Sequence, residues 1–462
     1  MEQSFMKEKP IFRLLISMSV PVMLSMLIQS LYNIVDSMWV ARLGTDALTA
    51  VSLVFPLQNV IMSVGVGIGV GIGSIISLRL GEGNHEAVNE TASTGIALVL
   101  IHCVIFVILG LILTRPFIGM FTQDKTVFKW VCDYSYVILC FSFGELLQMC
   151  FEKFFQSMGY MKTTMYLMAS GCIINIILDP ILIFGWFGLP AFGVKGAAMA
   201  TVIGQIAAFF LYLAVYLKKG MGLHLALSRV SFRLSLTGKI YSIGIPSSLI
   251  LAMPSVLVAV LNGILSRFGN VYVAFLGLYF KLQTFINMPS NGVVQGMRPL
   301  IGYNYGAGEI GRVKKIIKYS LLMVAAIMLT GTIAAIGFPA SLLQLFDADG
   351  EMLKYGVPAF RILGTGFLFS SAGTVASGVF EALGKGKESL FVSLLRQFII
   401  TVPFGFVLSF FLGPTGIWLV FPAAELISAI VSCKMLKSRT DLFVHNKILS
   451  LEKSRGNEYD LS

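Results

Sequence analysis

Long apolar stretches alternate with short polar breaks along the whole chain. Apolar runs punctuated by Gly, Pro and charge mark twelve candidate helices over residues 11–39, 46–80, 90–113, 127–157, 161–184, 192–217, 235–265, 270–301, 314–340, 350–382, 386–411 and 414–437. Each reaches the about 20 residues that a helix rising 1.5 Å per residue needs to span a bilayer. The last stretch, 438–462, is polar and charged and reads as a short cytosolic helix or a disordered tail. The expected fold is an all-α polytopic membrane protein with twelve transmembrane helices.

Composition fits that class. Hydrophobic residues make up 56% and charged residues 12% of the 462 positions, against about 25% charged in a soluble domain. No water-soluble core could hide so much apolar surface. The start, MEQSFMKEKPIFRLL, leads into a long apolar run without a small-residue cleavage site, so the first helix is read as retained. Twelve spans put both termini on one side. Of the 34 Lys and Arg residues, 25 fall in segments on that side and eight on the other, while Lys281 lies within a span. The excess places both termini in the cytoplasm of a multi-pass protein of the cytoplasmic membrane. The net charge of +11 is then a topology signal rather than a nucleic-acid surface. The six cysteines show no CxxC and read as small buried hydrophobes. The four histidines show no HxxxH spacing, and His102 reads as a packed or hydrogen-bonded side chain.

The chain repeats itself at a shift of 225. Ser17 falls on Ser242, Pro21 on Pro246, Arg42 on Arg267, Gly44 on Gly269, Gly71 on Gly296, Gly83 on Gly308 and Gly159 on Gly384. A constant shift over so long a stretch indicates duplication. Six spans per half is an even number, so the halves share one orientation and are related by an axis along the membrane normal. The expected organisation is a lobe over 1–217, a cytoplasmic linker over 218–234, a second lobe over 235–437 and a tail over 438–462. Two such six-helix lobes suit alternating access better than a fixed channel.

Two acids sit within this apolar pattern: Asp36 in PVMLSMLIQSLYNIVDSMWVARLG and Asp179 in NIILDPILIF. A charged side chain at the centre of a spanning helix costs about 2.5–3.5 kcal/mol on insertion scales. Counted from Ile11 and Met161, the two acids lie roughly 37 and 27 Å along their helices, in the outer half of the membrane. Asn175 shares a helical face with Asp179, and Thr201 falls at similar depth. Two Asp, an Asn and a Thr supply the oxygens that a hard cation prefers. Packed together, two carboxyl groups do not both keep their charge without a proton or cation between them. A proton or Na+ at Asp36 and Asp179 is therefore the expected coupling ion. Pro21 and Pro246 interrupt the first helix of each half and are candidate hinges.

Other features weigh less. The alternating Gly65 to Gly73 lack the lysine, strand and spacing of a nucleotide loop and read as helix-packing positions. Glu145 and Lys281 fall near mid-depth, one in each half, as candidates to pair across a cleft or to line it. Glu381, Arg396 and Glu425 are expected near helix ends or snorkelling. No cluster of His, Asp or Cys has the spacing of a membrane-embedded enzyme, no ATP-binding motif is visible, and no resident cofactor is expected.

YNIVDSMWVARLG around Asp36, LTAVSLVFPL after it, NIILDP, GAAMAT at 196–201 and QGMRPLIGYNYGAG at 295–308 together resemble the multidrug and toxic compound extrusion (MATE) family. The resemblance covers roughly residues 10–440. It implies a twelve-helix antiporter, taken here as a monomer, exporting small organic, often cationic, compounds against inward proton or sodium flow. It places the cation site in the first lobe, on Asp36, Asn175, Asp179 and Thr201, with Pro21 in the helix that bends. Tyr32 and Gln29, one and two turns before Asp36, would line the same pocket, with Glu145 and Lys281 as further candidates. Residues 240–266 hold no Asp or Glu, a departure from family members with an acid in the seventh helix. The alternative is a flippase for lipid-linked oligosaccharide, which would need a cationic cavity built from residues such as Lys281, Arg361 and Arg396.

Overall fold

The computed structural model describes residues 4–219, 221–346, 348 and 350–459. Within them the chain is helical: α1 Phe5–Glu8, α2 Ile11–Ala41, α3 Thr45–Gly81, α4 His85–Gly119, α5 Lys125–Cys140, α6 Phe143–Ser157, α7 Met161–Phe184, α8 Val194–Lys219, α9 Leu234–Leu265, α10 Asn270–Gly306, α11 Ile310–Gly337, α12 Pro339–Gln344, α13 Gly350–Gly364, α14 Phe367–Ala382, α15 Gly386–Leu394, α16 Thr401–Leu412 and α17 Pro414–Tyr459. Ten spans are long and apolar enough to cross a membrane, one of them α15 and α16 joined through a π-helical turn at Leu395–Ile399. Two further spans are bent pairs, which makes twelve. The architecture is that of two six-helix halves, as the repeat implies.

The bent pairs correct the reading of 127–157 and 350–382 as single helices. Helices α5 and α6 meet at 44°, and α13 and α14 at 50°. The shift of 225 carries Lys125 onto Gly350, so the break is duplicated as well. Hydropathy stays high through both breaks, which is why the pattern hid them. Of the two readings of the tail, the helical one describes it, as a continuation of the last span. Helix α17 runs on through the polar stretch to Tyr459, and residues 460–462 lie outside the described residues. The turns follow the repeat. Gly83 and Gly308 have φ of 73° and 75°, and Gly159 and Gly384 have 87° and 75°, a left-handed conformation that glycine adopts without a Cβ penalty.

The chain divides into two compact units. One comprises Val20–Leu80 and Asn84–Ser248 among the described residues. Its helix α3 carries a glycine stripe on two faces. A Cβ on Gly67 would lie 2.5 Å from the Gly244 carbonyl oxygen, and one on Gly71 2.4 Å from that of Ile240. Gly65 and Gly69 instead admit Met149 and the Lys153 stem from α6. Small residues thus let α3 touch both α6 and α9. The connecting segment is bound to α4, whose Asn89, Ser93 and Thr94 side chains accept the backbone N–H groups of His224 (2.7 Å), Ala226 (3.2 Å) and Ser231 (3.0 Å).

The other unit comprises Ser4–Ser19, Gly81–Gly83 and the described chain from Leu249 onward. Asn304 Nδ2 donates to the Met6 carbonyl at 3.1 Å, Arg312 Nη2 donates to the Lys9 carbonyl at 2.8 Å, and Lys7 pairs with Glu309 at 3.2 Å. A Cβ on Gly296 would lie 2.9 Å from Ser19 Cα. The shift of 225 carries Gly71 onto Gly296 and Ser19 onto Gly244, so each unit holds its own copy of one close approach. Of the three residues expected near helix ends or snorkelling, Glu381 does stand in the last turn of α14, and all three are paired inside this unit. Arg298 bonds to Glu381, which is 2% exposed, and Arg396 pairs with Glu425 at 3.3 Å while donating to Thr374 Oγ1 at 3.0 Å. The physical reason is burial: charges this deep need a partner of opposite sign.

Candidate functional site

Close helix packing builds the site in the first unit. A Cβ on Gly204 of α8 would lie 3.1 Å from Asn175 Cβ of α7, and one on Gly171 would lie 3.1 Å from the Gly204 carbonyl oxygen. With the two backbones this close, Thr201, one turn before Gly204, meets Asn175. Asn175 Nδ2 donates to Thr201 Oγ1 at 3.4 Å and reaches Asp179 Oδ1 at 3.5 Å. Asn175 and Asp179 share a face because they are four residues apart. From α2, Tyr32 Oη lies 3.5 Å from Thr201 Oγ1, and Asp36, one turn on, brings its carboxyl within hydrogen-bonding reach of that of Asp179.

The cluster is secluded. Asn175, Asp179 and Thr201 are 2%, 0% and 5% exposed. Three of its acceptor oxygens, Asp36 Oδ1, Asn175 Oδ1 and Asp179 Oδ2, are buried without a protein partner. Buried acceptors in native proteins are otherwise almost always satisfied. Two carboxyls, an amide oxygen and a hydroxyl are hard donors that suit a proton or an alkali cation. Past the acids, Trp39 packs edge-on against Phe184 and Trp186, and the Arg42 guanidinium lies 4.5 Å from the centre of the Trp39 ring.

Two members were not foreseen. Tyr134 of α5 is buried and accepts a bond from Gln58 Nε2 at 3.2 Å. Gln58 and Tyr134 interrupt apolar runs, and an amide or phenol inside a span carries the same signal as an acid, only weaker. Pro21 is buried in α2, which continues through it, and Ser25 Oγ donates to its carbonyl at 2.9 Å.

A cavity with about 70 Å³ of room adjoins the cluster and is lined by Gln29, Tyr32, Glu145, Asn175, Thr201 and Gln205, among others. Glu145 stands in the first turn of α6, just past the bend, and lines the cavity together with Gln205. Lys281 is not among the residues lining it; it belongs to the second unit, with an exposed side chain. The six cysteines are free, and Cys433 is exposed where a buried position was expected. His102 Nδ1 bonds to the Leu98 carbonyl at 2.8 Å.

Known proteins share this architecture. The chain is 27% identical to the multidrug export protein MepA of Staphylococcus saprophyticus over 98% of its own length and 99% of that protein's. It is 27% identical to MepA of Staphylococcus aureus strain MSSA476, covering 95% and 97% of the two chains. A crystal structure of a MATE protein in its bent conformation superposes with a TM-score of 0.90 at 24% identity, over 97% of this chain and 99% of that one; the straight conformation gives 0.88 over 96% and 99%. The MatE family model matches residues 21–181 and again 246–407, two copies whose starts are separated by the same 225 positions as the internal repeat. This chain belongs to the MatE family, the multidrug and toxic compound extrusion transporters that its motifs resemble.

Proposed function

We propose that the protein is a secondary-active multidrug exporter that exchanges small organic, often cationic, compounds for protons or sodium ions by alternating access. The observation that carries this reading is the buried pair Asp36 and Asp179 with its unpartnered oxygens. A proton or Na+ entering the pair neutralises it and draws α2 toward α7, with Pro21 as the bending point and Asn175 and Thr201 as ligands. The export function named for the MepA relatives supports the same reading. One charge moving through 100 mV releases about 2.3 kcal/mol, enough for roughly a 50-fold gradient of cargo at 1.4 kcal/mol per tenfold.

In this reading the protein is a monomer of the cytoplasmic membrane with both termini inside, its lobes spanning 1–217 and 235–437, and it is a transporter rather than an enzyme. The flippase reading loses ground. Of the cations it needs, Arg396 is engaged by Glu425, and Arg361 Nε donates to the Ile336 carbonyl at 3.2 Å. The test is export of a fluorescent organic cation from proteoliposomes with proton and sodium gradients imposed separately. Export driven by one of them supports antiport, and export indifferent to both refutes it.

A further inference from the structure

Glu145 is a buried-side acid that the ion site does not use. It lines a cavity together with Gln205, Gln29, Tyr32, Met149 and Met168. It is the only charged residue among the described residues that line this cavity. Amides and thioethers make up much of the remaining wall. Such side chains adapt to ligands of differing shape, while a lone carboxylate in partly dehydrated surroundings favours a positive partner. The wall also includes Tyr32, Asn175 and Thr201, the side chains bonded around the Asp36–Asp179 pair. Cargo and coupling ion would therefore share one wall while each meets its own carboxylate.

We propose that Glu145, on the cavity wall it shares with Gln205, is the specificity-determining residue that receives the positive charge of an organic cation. The inference rests on the exporter reading and assigns its charge selectivity to one side chain. It separates two tasks that a single acid cluster would otherwise combine. Asp36 and Asp179 serve the ion, and Glu145 serves the cargo. The bend between α5 and α6 serves the same end, because it starts a new helix two residues before Glu145.

The test compares transport of ethidium, a permanent cation, with that of an uncharged aromatic dye, in proteoliposomes containing wild-type or Glu145→Gln protein. The expected result is an apparent KM for ethidium raised about tenfold or more, with kcat and the uncharged dye little changed; a tenfold change corresponds to about 1.4 kcal/mol. Equal effects on both dyes, or none on either, overturn the proposal. Should Glu145→Gln fail to reach the membrane, Gln205→Leu, which leaves the acid in place but removes the neighbouring amide from the cavity wall, is read for the same split and judged by the same outcomes. The exporter reading fails separately, if the wild-type protein moves neither dye under any ion gradient.

Discussion

Asn175 lies between two partners, giving a hydrogen bond to Thr201 Oγ1 at 3.4 Å and reaching Asp179 Oδ1 at 3.5 Å, while its own side-chain oxygen is buried without a partner. The amide therefore joins α7 to α8 through its bond to Thr201 and leaves its own acceptor unpaired in the buried cluster. That polarity suits a site that waits for a positive charge.

Removing either acid should stop coupling without unfolding the protein. Asp36→Asn and Asp179→Asn are each expected to reduce drug export at least tenfold while the protein remains in the membrane at wild-type level. Resistance of cells expressing each variant, with membrane abundance measured in parallel, checks this. Unchanged resistance would remove the carboxyl from the mechanism.

Thr201→Val replaces the hydroxyl shared by Asn175 and Tyr32 with a methyl group of similar size. A net hydrogen bond is worth about 0.5–1.5 kcal/mol, so the half-saturating concentration of the coupling ion should rise by up to about tenfold. Maximal export should fall less. Titration of export against the driving ion separates the two effects.

Much of this arrangement was legible beforehand, and the misses have physical causes. Asp36, Asn175, Asp179 and Thr201 stood out because each is polar within an apolar run, and helical spacing put Asn175 and Asp179 on one face. Tyr134 and Gln58 escaped because phenols and amides are common enough in spans to draw little notice. The bends at α5–α6 and α13–α14 escaped because an apolar run looks the same whether straight or broken. The pairing of Glu381, Arg396 and Glu425 was not legible because sequence order does not reveal a partner on another helix; Arg298 and Glu381 are 83 positions apart.

The glycine stripe gives a stability prediction. On Gly71 even a Cβ would lie 2.4 Å from a backbone oxygen, so Gly71→Leu must push α3 away from α9. Overpacking of this kind costs about 1–3 kcal/mol, occasionally more. Gly238→Ala, where nothing lies within 4 Å of the added atom, should be neutral or slightly stabilising, since alanine is the better helix former. Thermal unfolding of both variants in detergent reads the contrast.

The Arg298–Glu381 pair gives another. Arg298→Met removes the arginine paired with a glutamate that is 2% exposed, and breaking a buried pair from one side costs up to about 3–5 kcal/mol. Adding Glu381→Met should recover part of that loss, because the buried charge that lost its arginine is gone as well. A double-mutant cycle on unfolding temperature tests it, and a double variant no more stable than the single one would contradict the account.

The central claim is that one buried carboxyl pair links ion entry to cargo exit. Its most direct test is ion-driven export in proteoliposomes of wild-type, Asp36→Asn and Asp179→Asn protein, with an inward proton or sodium gradient applied in turn. The account predicts that one gradient accelerates wild-type export severalfold and that neither variant responds to either gradient. A variant that still accelerates under the wild-type driving ion would contradict it.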